Sequence, residues 1–256
     1  MPTVNLLAKA YNSHQLKHVD QNLKSEFKDL NVETKILGTT SRGWIQISLS
    51  GQDETPALHY LSDRIGFCPI TMENINEFSI IKGRVATLRT DESGLHVDVG
   101  VFSPQIIEAT ISLRRLQAQI GEGRKTPVKK ITRLYGLCKN LPITVKILHI
   151  DNDHGYIEAE LADSQQKQYR DWTESLLDRL LILGASQDEI ELTLEKARLN
   201  RDVIDIEPLG MFEHAVVCKL GTDATGLIPM IGKQLRASFF SVFRPKTVLE
   251  FAEGKQ

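Results

Sequence analysis

Residues 142–151 read PITVKILHID, and residues 156–161 read YIEAEL. Apolar and polar residues alternate in both stretches, which is the period of a strand with one buried face. The segment at 151–155, DNDHG, supplies the Asp, Asn and Gly residues that tight turns use. The two stretches are therefore predicted to form a β-hairpin.

Three further strand-like stretches precede this hairpin along the chain. Residues 79–88 and 95–99 carry apolar side chains at alternate positions and flank a turn at 91–94, DESG, and residues 109–113 form another candidate strand. Because strands follow one another across short turns here, residues 79–162 are predicted to form one β-rich domain.

The first part of the chain, residues 1–78, has a different pattern. Leu16, Val19, Leu23 and Phe27 recur at spacings of three and four, which predicts one apolar helix face. Its elements are a strand at 4–11, a helix from Ser13 to about residue 30, strands at 32–37 and 44–49, and a helix at 55–65. This order predicts a small β-α-β-β-α domain with an open sheet.

The remainder of the chain is predicted to hold a helical hairpin and a second β-rich region. Ser164 is expected to cap a helix that reaches about residue 183, and Ser186 with Glu189 three residues later forms a capping box for a second helix. The hairpin covers residues 163–201, and residues 202–256 return to strand-like sequence. The fold class is therefore α+β, in four parts.

Composition indicates a globular protein and excludes several other classes. The 256 residues are 41% hydrophobic and 25% charged, which is usual for two or three packed domains. The three cysteines, Cys68, Cys138 and Cys218, form no CxxC pair and are expected to be free buried thiols of a reducing compartment. No apolar run is long enough for a membrane span, and no signal peptide is recognised, so a cytoplasmic protein is predicted.

The net charge of −2 hides a strongly uneven distribution. The segment 113–146 contains a single acid, Glu122, and is otherwise basic at Arg114, Arg115, Arg124, Lys125, Lys129, Lys130, Arg133, Lys139 and Lys146. The following segment, 151–202, is acidic. The basic segment, whose residues 114–141 look irregular, either contacts nucleic-acid phosphates, packs against the acidic helices, or forms a solvated loop.

The β-rich domain at 79–162 resembles the S-one RNA-binding domain, which is an OB barrel. The resemblance rests on KGRV at 82–85, GLHVDVG at 94–100, PITVKILHID at 142–151 and GYIEA at 155–159. It implies an OB-type barrel interrupted by a basic insertion, and it implies RNA binding.

Two weaker likenesses accompany it. FEHAVV at 212–217 and GLIP at 226–229 resemble the middle strands and a corner of the same domain, which suggests a degenerate, partly barrel-like copy in the C-terminal region. The order of parts is also similar to that of an archaeal protein family of unassigned function. A role near transcription or translation is expected from that context.

The resemblance implies an interface on the barrel, and the charge count extends it. His96 and Phe102 would line the barrel face, but Ser93 stands where a second stacking residue is usual, so phosphate contacts are expected to dominate base contacts. This favours structured RNA or a ribosomal surface. The predicted RNA-binding residues are Lys82, Arg84, His96, Phe102, Arg114, Arg115, Arg124, Lys125, Lys129, Lys130, Arg133 and Lys139.

Other functions remain open at this point. His149, Asp151, Asp153 and His154 offer four possible metal ligands, although a polar hairpin turn is the better explanation for them. No catalytic residue, metal or cofactor is predicted. A protein–protein adaptor without nucleic-acid binding is the second hypothesis, and a metal-dependent nuclease that uses Asp151 is the third.

Overall fold

A computed structural model describes residues 2–87 and 93–254. The chain divides into two compact units, Met1–Ile70 and Thr71–Gln256. The turn predicted at 91–94 lies in part outside the described residues. Within them, no helix combines the length and the apolar character that crossing a membrane requires.

The first unit has the predicted β-α-β-β-α order. Its elements are β1 (Thr3–Lys9), α1 (Ser13–Glu26), β2 (Val32–Thr39), β3 (Trp44–Gly51) and α2 (Glu54–Arg64). The sheet order is β1-β3-β2 and both pairings are antiparallel. Helix α1 begins as predicted, but its cap is Asn12, whose side chain accepts a hydrogen bond from the Gln15 N–H.

The second unit begins with a short 3₁₀ helix and a barrel. The elements are the 3₁₀ helix Met72–Asn74, β4 (Ile80–Val85), β5 (Gly94–Val101), β6 (Ile107–Ser112), α3 (Leu113–Ile120), α4 (Val128–Leu134), β7 (Pro142–Asp151) and β8 (Tyr156–Leu161). The five strands close in the order β4-β5-β6-β8-β7, with β6 and β8 parallel. The predicted OB-type barrel is thus confirmed.

The barrel closes because alternate residues of each strand point inward. Val97, Ile111, Val145 and Ala159 are fully buried inside it. Gly83 is needed at its position on β4, since an added Cβ would lie 2.6 Å from Val97 Cγ1. The two-residue period that predicted the strands is therefore the period of barrel filling.

The basic segment between β6 and β7 is helical, not irregular as its sequence suggests. It contains α3 and α4, whose buried residues alternate with exposed ones at helical spacing: Leu116 and Ile120 on α3, and Val128, Ile131 and Leu134 on α4. The helices are only eight and seven residues long, so the apolar period is short and the many cations obscure it.

The C-terminal part is built on a four-stranded sheet. Its elements are α5 (Asp163–Glu174), β9 (Arg179–Leu183), α6 (Gln187–Lys196), β10 (Val203–Pro208), β11 (Glu213–Cys218), α7 (Ala224–Ile231), β12 (Phe239–Phe243) and α8 (Pro245–Ala252). The antiparallel order is β10-β11-β9-β12. The region is β-rich as predicted, but it is an open sheet, and the GLIP stretch lies in α7.

The predicted helical hairpin is wrong in its middle. Helices α5 and α6 exist, and Ser186 and Glu189 form the predicted capping box, but β9 separates them. All five residues of β9 are buried because the strand lies inside the sheet and is covered on both faces. A short apolar run without alternation fits a buried strand as well as a helix, which explains the error.

Three contacts join the barrel to the C-terminal sheet. Arg84 Nη1 on β4 lies 2.8 Å from Glu213 Oε2 on β11, and these side chains are 5% and 1% exposed. Gly210 leaves room for this pair, since an added Cβ would lie 2.1 Å from Glu213 Oε2. An aromatic cluster forms the second contact, and its members are Tyr135, Tyr169, Trp172 and Phe243. The Ser241 hydroxyl donates to the Gly136 carbonyl at 2.9 Å as the third.

Candidate nucleic-acid interface

Helix α4 and its flanking loops carry a cluster of exposed cations. Lys129 and Arg133 are four residues apart on the helix, so they share the side opposite the buried Ile131. Lys125 precedes the helix and Lys139 follows it, and both are exposed. We call Lys125, Lys129, Arg133 and Lys139 the α4 basic surface. Within residues 2–87 and 93–254, none of the four has an ion-pair partner.

Arg124 and Lys130, which the sequence also assigns to RNA, face the protein itself. The Arg124 guanidinium donates to the carbonyls of Phe251 and Ala252, at 2.6 Å for Ala252. It lies 5.4 Å from the centre of the Phe251 ring, and Lys130 Nζ lies 5.2 Å from the same centre. The two cations therefore hold the C-terminal end of α8, where helix carbonyls lack intrahelical donors.

Replacing Arg124 with alanine is expected to lower the free energy of unfolding by about 1.5–3 kcal/mol, because two carbonyls lose a charged donor. Urea denaturation measures the change. Lys125→Ala is the matched control next to it, and it is expected to stay within about 0.5 kcal/mol of the parent. Equal effects of the two variants would contradict this role of Arg124.

Four other predicted residues divide between the interior and the barrel surface. Arg84 is buried in its ion pair with Glu213, so it cannot reach a phosphate, and we remove it from the interface. Arg115 on α3 pairs with Glu158 at 3.1 Å and with Glu160 at 3.4 Å. Lys82 is exposed on the outer side of β4. Arg114 is also exposed, at the start of α3.

The barrel face formed by β5 and β6 is poor in stacking residues. The His96 ring nitrogens lie 3.2 Å from Thr110 Oγ1 and 3.3 Å from Ser93 Oγ, and Phe102 is half-buried beyond the end of β5. Glu108 on β6 and Glu158 on β8 add negative charge beside them. OB barrels usually bind oligonucleotides on this face. Here the face offers few stacking residues and two carboxylates, of which Glu158 pairs with Arg115.

The predicted alternative at the β7–β8 turn is a set of internal hydrogen bonds. His149 Nδ1 lies 2.8 Å from Glu77 Oε1, and His154 Nδ1 lies 2.8 Å from Asp151 Oδ2. The pKa of the Glu77 carboxyl is lowered, first by the Ile150 N–H that donates to it and then by His149. The pKa of Asp151 is lowered chiefly by the His154 N–H. Among the described residues, no three such side chains converge on a possible metal position.

The cysteines are all free, as predicted. Cys68 and Cys218 are also buried, whereas Cys138 is half-buried. Burial raises the pKa of the Cys138 and Cys218 thiols to about 11. Both thiols are therefore protonated at neutral pH and are poor nucleophiles.

Sequence reasoning missed an exposed aromatic residue and a cleft beside the barrel. Phe78 is 66% exposed and Ile80 is 63% exposed. The two-residue strand period places Ile80 on the same side as Lys82, whereas Phe78 lies in the turn before the strand. That period was a usable signal for the outer side of β4. The cleft, which lies between Thr144 and α5, depends on tertiary packing and has no sequence signal.

The fold places the molecule among mixed α+β proteins that carry an OB-type barrel. The chain belongs to the DUF2110 family. The DUF2110 N-terminal domain matches residues 3–68, the central domain matches residues 76–173, and the C-terminal domain matches residues 177–243. A search of curated proteins gave no significant match.

Several solved structures are similar to parts of the chain. GSP13 from Bacillus subtilis is 17% identical with a TM-score of 0.24, and the match covers 36% of this chain and 58% of that protein. A chain of the a/eIF2alpha-aDim2p-rRNA complex from Pyrococcus horikoshii OT3 is 15% identical with a TM-score of 0.25, and the match covers 50% of this chain and 70% of that one. The intact alpha subunit of aIF2 from Pyrococcus abyssi is 10% identical with a TM-score of 0.26, and the match covers 66% of this chain and 97% of that protein.

Proposed function

We propose that this protein is a non-catalytic RNA-binding protein of structured RNA or of a ribonucleoprotein such as the ribosome. The α4 basic surface is the observation that carries the proposal. Four exposed cations on one short helix and its loops can neutralise phosphates without first breaking an ion pair. Phosphate neutralisation releases counterions, and this release drives most sequence-independent binding to nucleic acids.

The features of the barrel support RNA over an acidic protein as the partner. The S-one resemblance covers the β4, β5, β7 and β8 strands, and the two helices that carry the basic surface connect β6 to β7 of the same barrel. Contacts to phosphates, with few base contacts on the β5–β6 face, suit an RNA helix, whose bases are hard to reach from the grooves.

The wild-type protein is expected to bind a labelled RNA hairpin with an affinity that falls as salt increases. Four phosphate contacts at about 0.7–0.9 each predict a slope of about −3 to −4 in a plot of log affinity against log salt concentration. Fluorescence anisotropy at several salt concentrations measures the slope. A duplex DNA of the same length serves as the comparison. Absence of RNA binding at low salt would overturn the proposal. Cleavage of the RNA during the titration would contradict the statement that the protein is non-catalytic.

A further inference from the structure

The outer side of β4 presents an exposed apolar and basic strip. Ile80 and Lys82 lie two residues apart along it, Lys146 on β7 pairs directly with Ile80, and the exposed Phe78 lies in the turn that precedes the strand. The opposite side of β4 faces the barrel interior, as the contact of Gly83 with Val97 shows. We call Phe78, Ile80, Lys82 and Lys146 the β4 strip.

Phe78 is held in an unusual backbone conformation. Its φ is +65°, in the left-handed region that bulky residues rarely adopt. The Phe78 N–H donates to the Ile147 carbonyl at 2.8 Å, and the Ile147 N–H donates to the Ser79 carbonyl at 2.9 Å. These bonds to β7 fix the conformation, although the ring itself is 66% exposed.

The strip leads to a polar cleft between the barrel, α5 and the C-terminal sheet. Thr144, which pairs with Lys82, lines the cleft, whose volume is about 510 Å³. Besides Thr144, the cleft is lined by Gln165, Lys167, Gln168, Asp171, Trp172 and Arg179.

Two buried polar side chains shape the cleft wall. Gln165 and Arg179 are each 5% exposed. Gln165 accepts from the Thr144 N–H at 2.9 Å and donates to Gln168 Oε1 at 2.8 Å. Arg179 is fixed between Glu207, at 3.1 Å, and the Trp172 ring, at 5.0 Å from its centre. The Gln168 amide nitrogen, which has no partner within the described chain, and the exposed Lys167 remain for a ligand.

We propose that the β4 strip and the cleft bind a single-stranded RNA segment. One base stacks on Phe78, Lys82 holds a phosphate, and a following base enters the cleft beside Gln168. Lys146, whose Nζ lies 3.8 Å from Glu160 Oε1, assists Lys82 when it leaves that carboxylate. Aromatic rings with neighbouring cations are the usual platform for single strands, and amide side chains hydrogen-bond the edges of unstacked bases. The inference rests on the proposed RNA binding and specifies its class: a stem with an adjoining single strand.

The position of the α4 basic surface favours this occupant. The Asn140 N–H, next to Lys139, donates to the Val85 carbonyl at 2.8 Å, so the surface meets the end of β4. Three residues of strand, about 10 Å, separate Val85 from Lys82. One RNA that contacts both surfaces, its stem at α4 and its single strand along the β4 strip, would therefore pass around Arg84 and Glu213, which are buried between them.

The Phe78→Gly variant separates this role from folding. Glycine accepts a positive φ without strain, so the melting temperature is expected to be unchanged or higher. Affinity for a hairpin with a 12-nucleotide single-stranded tail is expected to fall about tenfold, because one stacked base is lost. Affinity for the blunt hairpin should be unchanged. Anisotropy with both RNAs measures this in the full chain.

Phe239→Ala is the matched control, because Phe239 on β12 is 62% exposed and lies outside the strip. It should leave both affinities unchanged. If the tailed hairpin binds Phe78→Gly as well as the parent, the single-strand inference is overturned while the proposed function stands. If neither RNA binds the parent at low salt, both the proposed function and the single-strand inference are overturned.

Discussion

Replacing Glu213 with alanine is expected to lower the free energy of unfolding of the second unit by about 3–5 kcal/mol. Arg84 and Glu213 are 5% and 1% exposed at their side chains, with nitrogen and oxygen 2.8 Å apart. Without the carboxylate, the guanidinium stays buried beside the barrel and loses its compensating charge. Urea denaturation, followed by tryptophan fluorescence, measures the loss.

The Arg84→Met/Glu213→Leu double variant is the control for this prediction. It removes both charges and fills similar space, and such replacements are often neutral or stabilising. We expect it to recover most of the stability that Glu213→Ala loses. A loss below about 0.5 kcal/mol in the single variant would show that the pair does not stabilise the contact between barrel and sheet.

Reversing the charge of Lys125, Lys129, Arg133 and Lys139 to glutamate is expected to abolish RNA binding at physiological salt. Four attractive phosphate contacts would become repulsive, and a loss of only a few contacts already weakens binding by orders of magnitude. Lys129→Ala alone should reduce the slope of log affinity against log salt concentration by about 0.7–0.9 in magnitude. Anisotropy against the RNA hairpin measures both.

The control is a second fourfold reversal with the same change in net charge. Lys196, Arg201, Lys219 and Lys233 are exposed in the C-terminal part of the chain, and their replacement by glutamate should leave most of the affinity intact. Circular dichroism verifies that both variants fold. Equal losses in the two variants would mean that overall charge, rather than the α4 basic surface, determines binding.

The barrel could be predicted from sequence because part of its strands alternate. In β8, and in β7 as far as Ile147, every second residue fills the interior, so the period that is visible in the sequence is the one that packing requires. Strand β9 could not be predicted, since RLLIL is buried throughout and carries no alternation. The capping box at Ser186 was predictable because it is a local interaction over three residues.

The candidate site was predictable only in part. The excess of cations in 113–146 is visible in a count of charges. The count does not distinguish Arg124, which contacts α8, from Lys129, which is exposed. Arg124 binds carbonyls 127 and 128 residues away, and Arg84 meets a carboxylate on β11. Such long-range partners decide which cations are exposed, and nothing near either arginine in the sequence reports them.

The ion pair between barrel and sheet also makes three positions interdependent. A Cβ at position 210 would occupy the space of the Glu213 carboxylate and would lie 3.0 Å from the Arg84 guanidinium nitrogens. A chain that loses either charge therefore gains from losing the other, and the glycine matters only while the pair is present. Arg84, Gly210 and Glu213 therefore form a set in which a change at one alters which substitutions the other two tolerate.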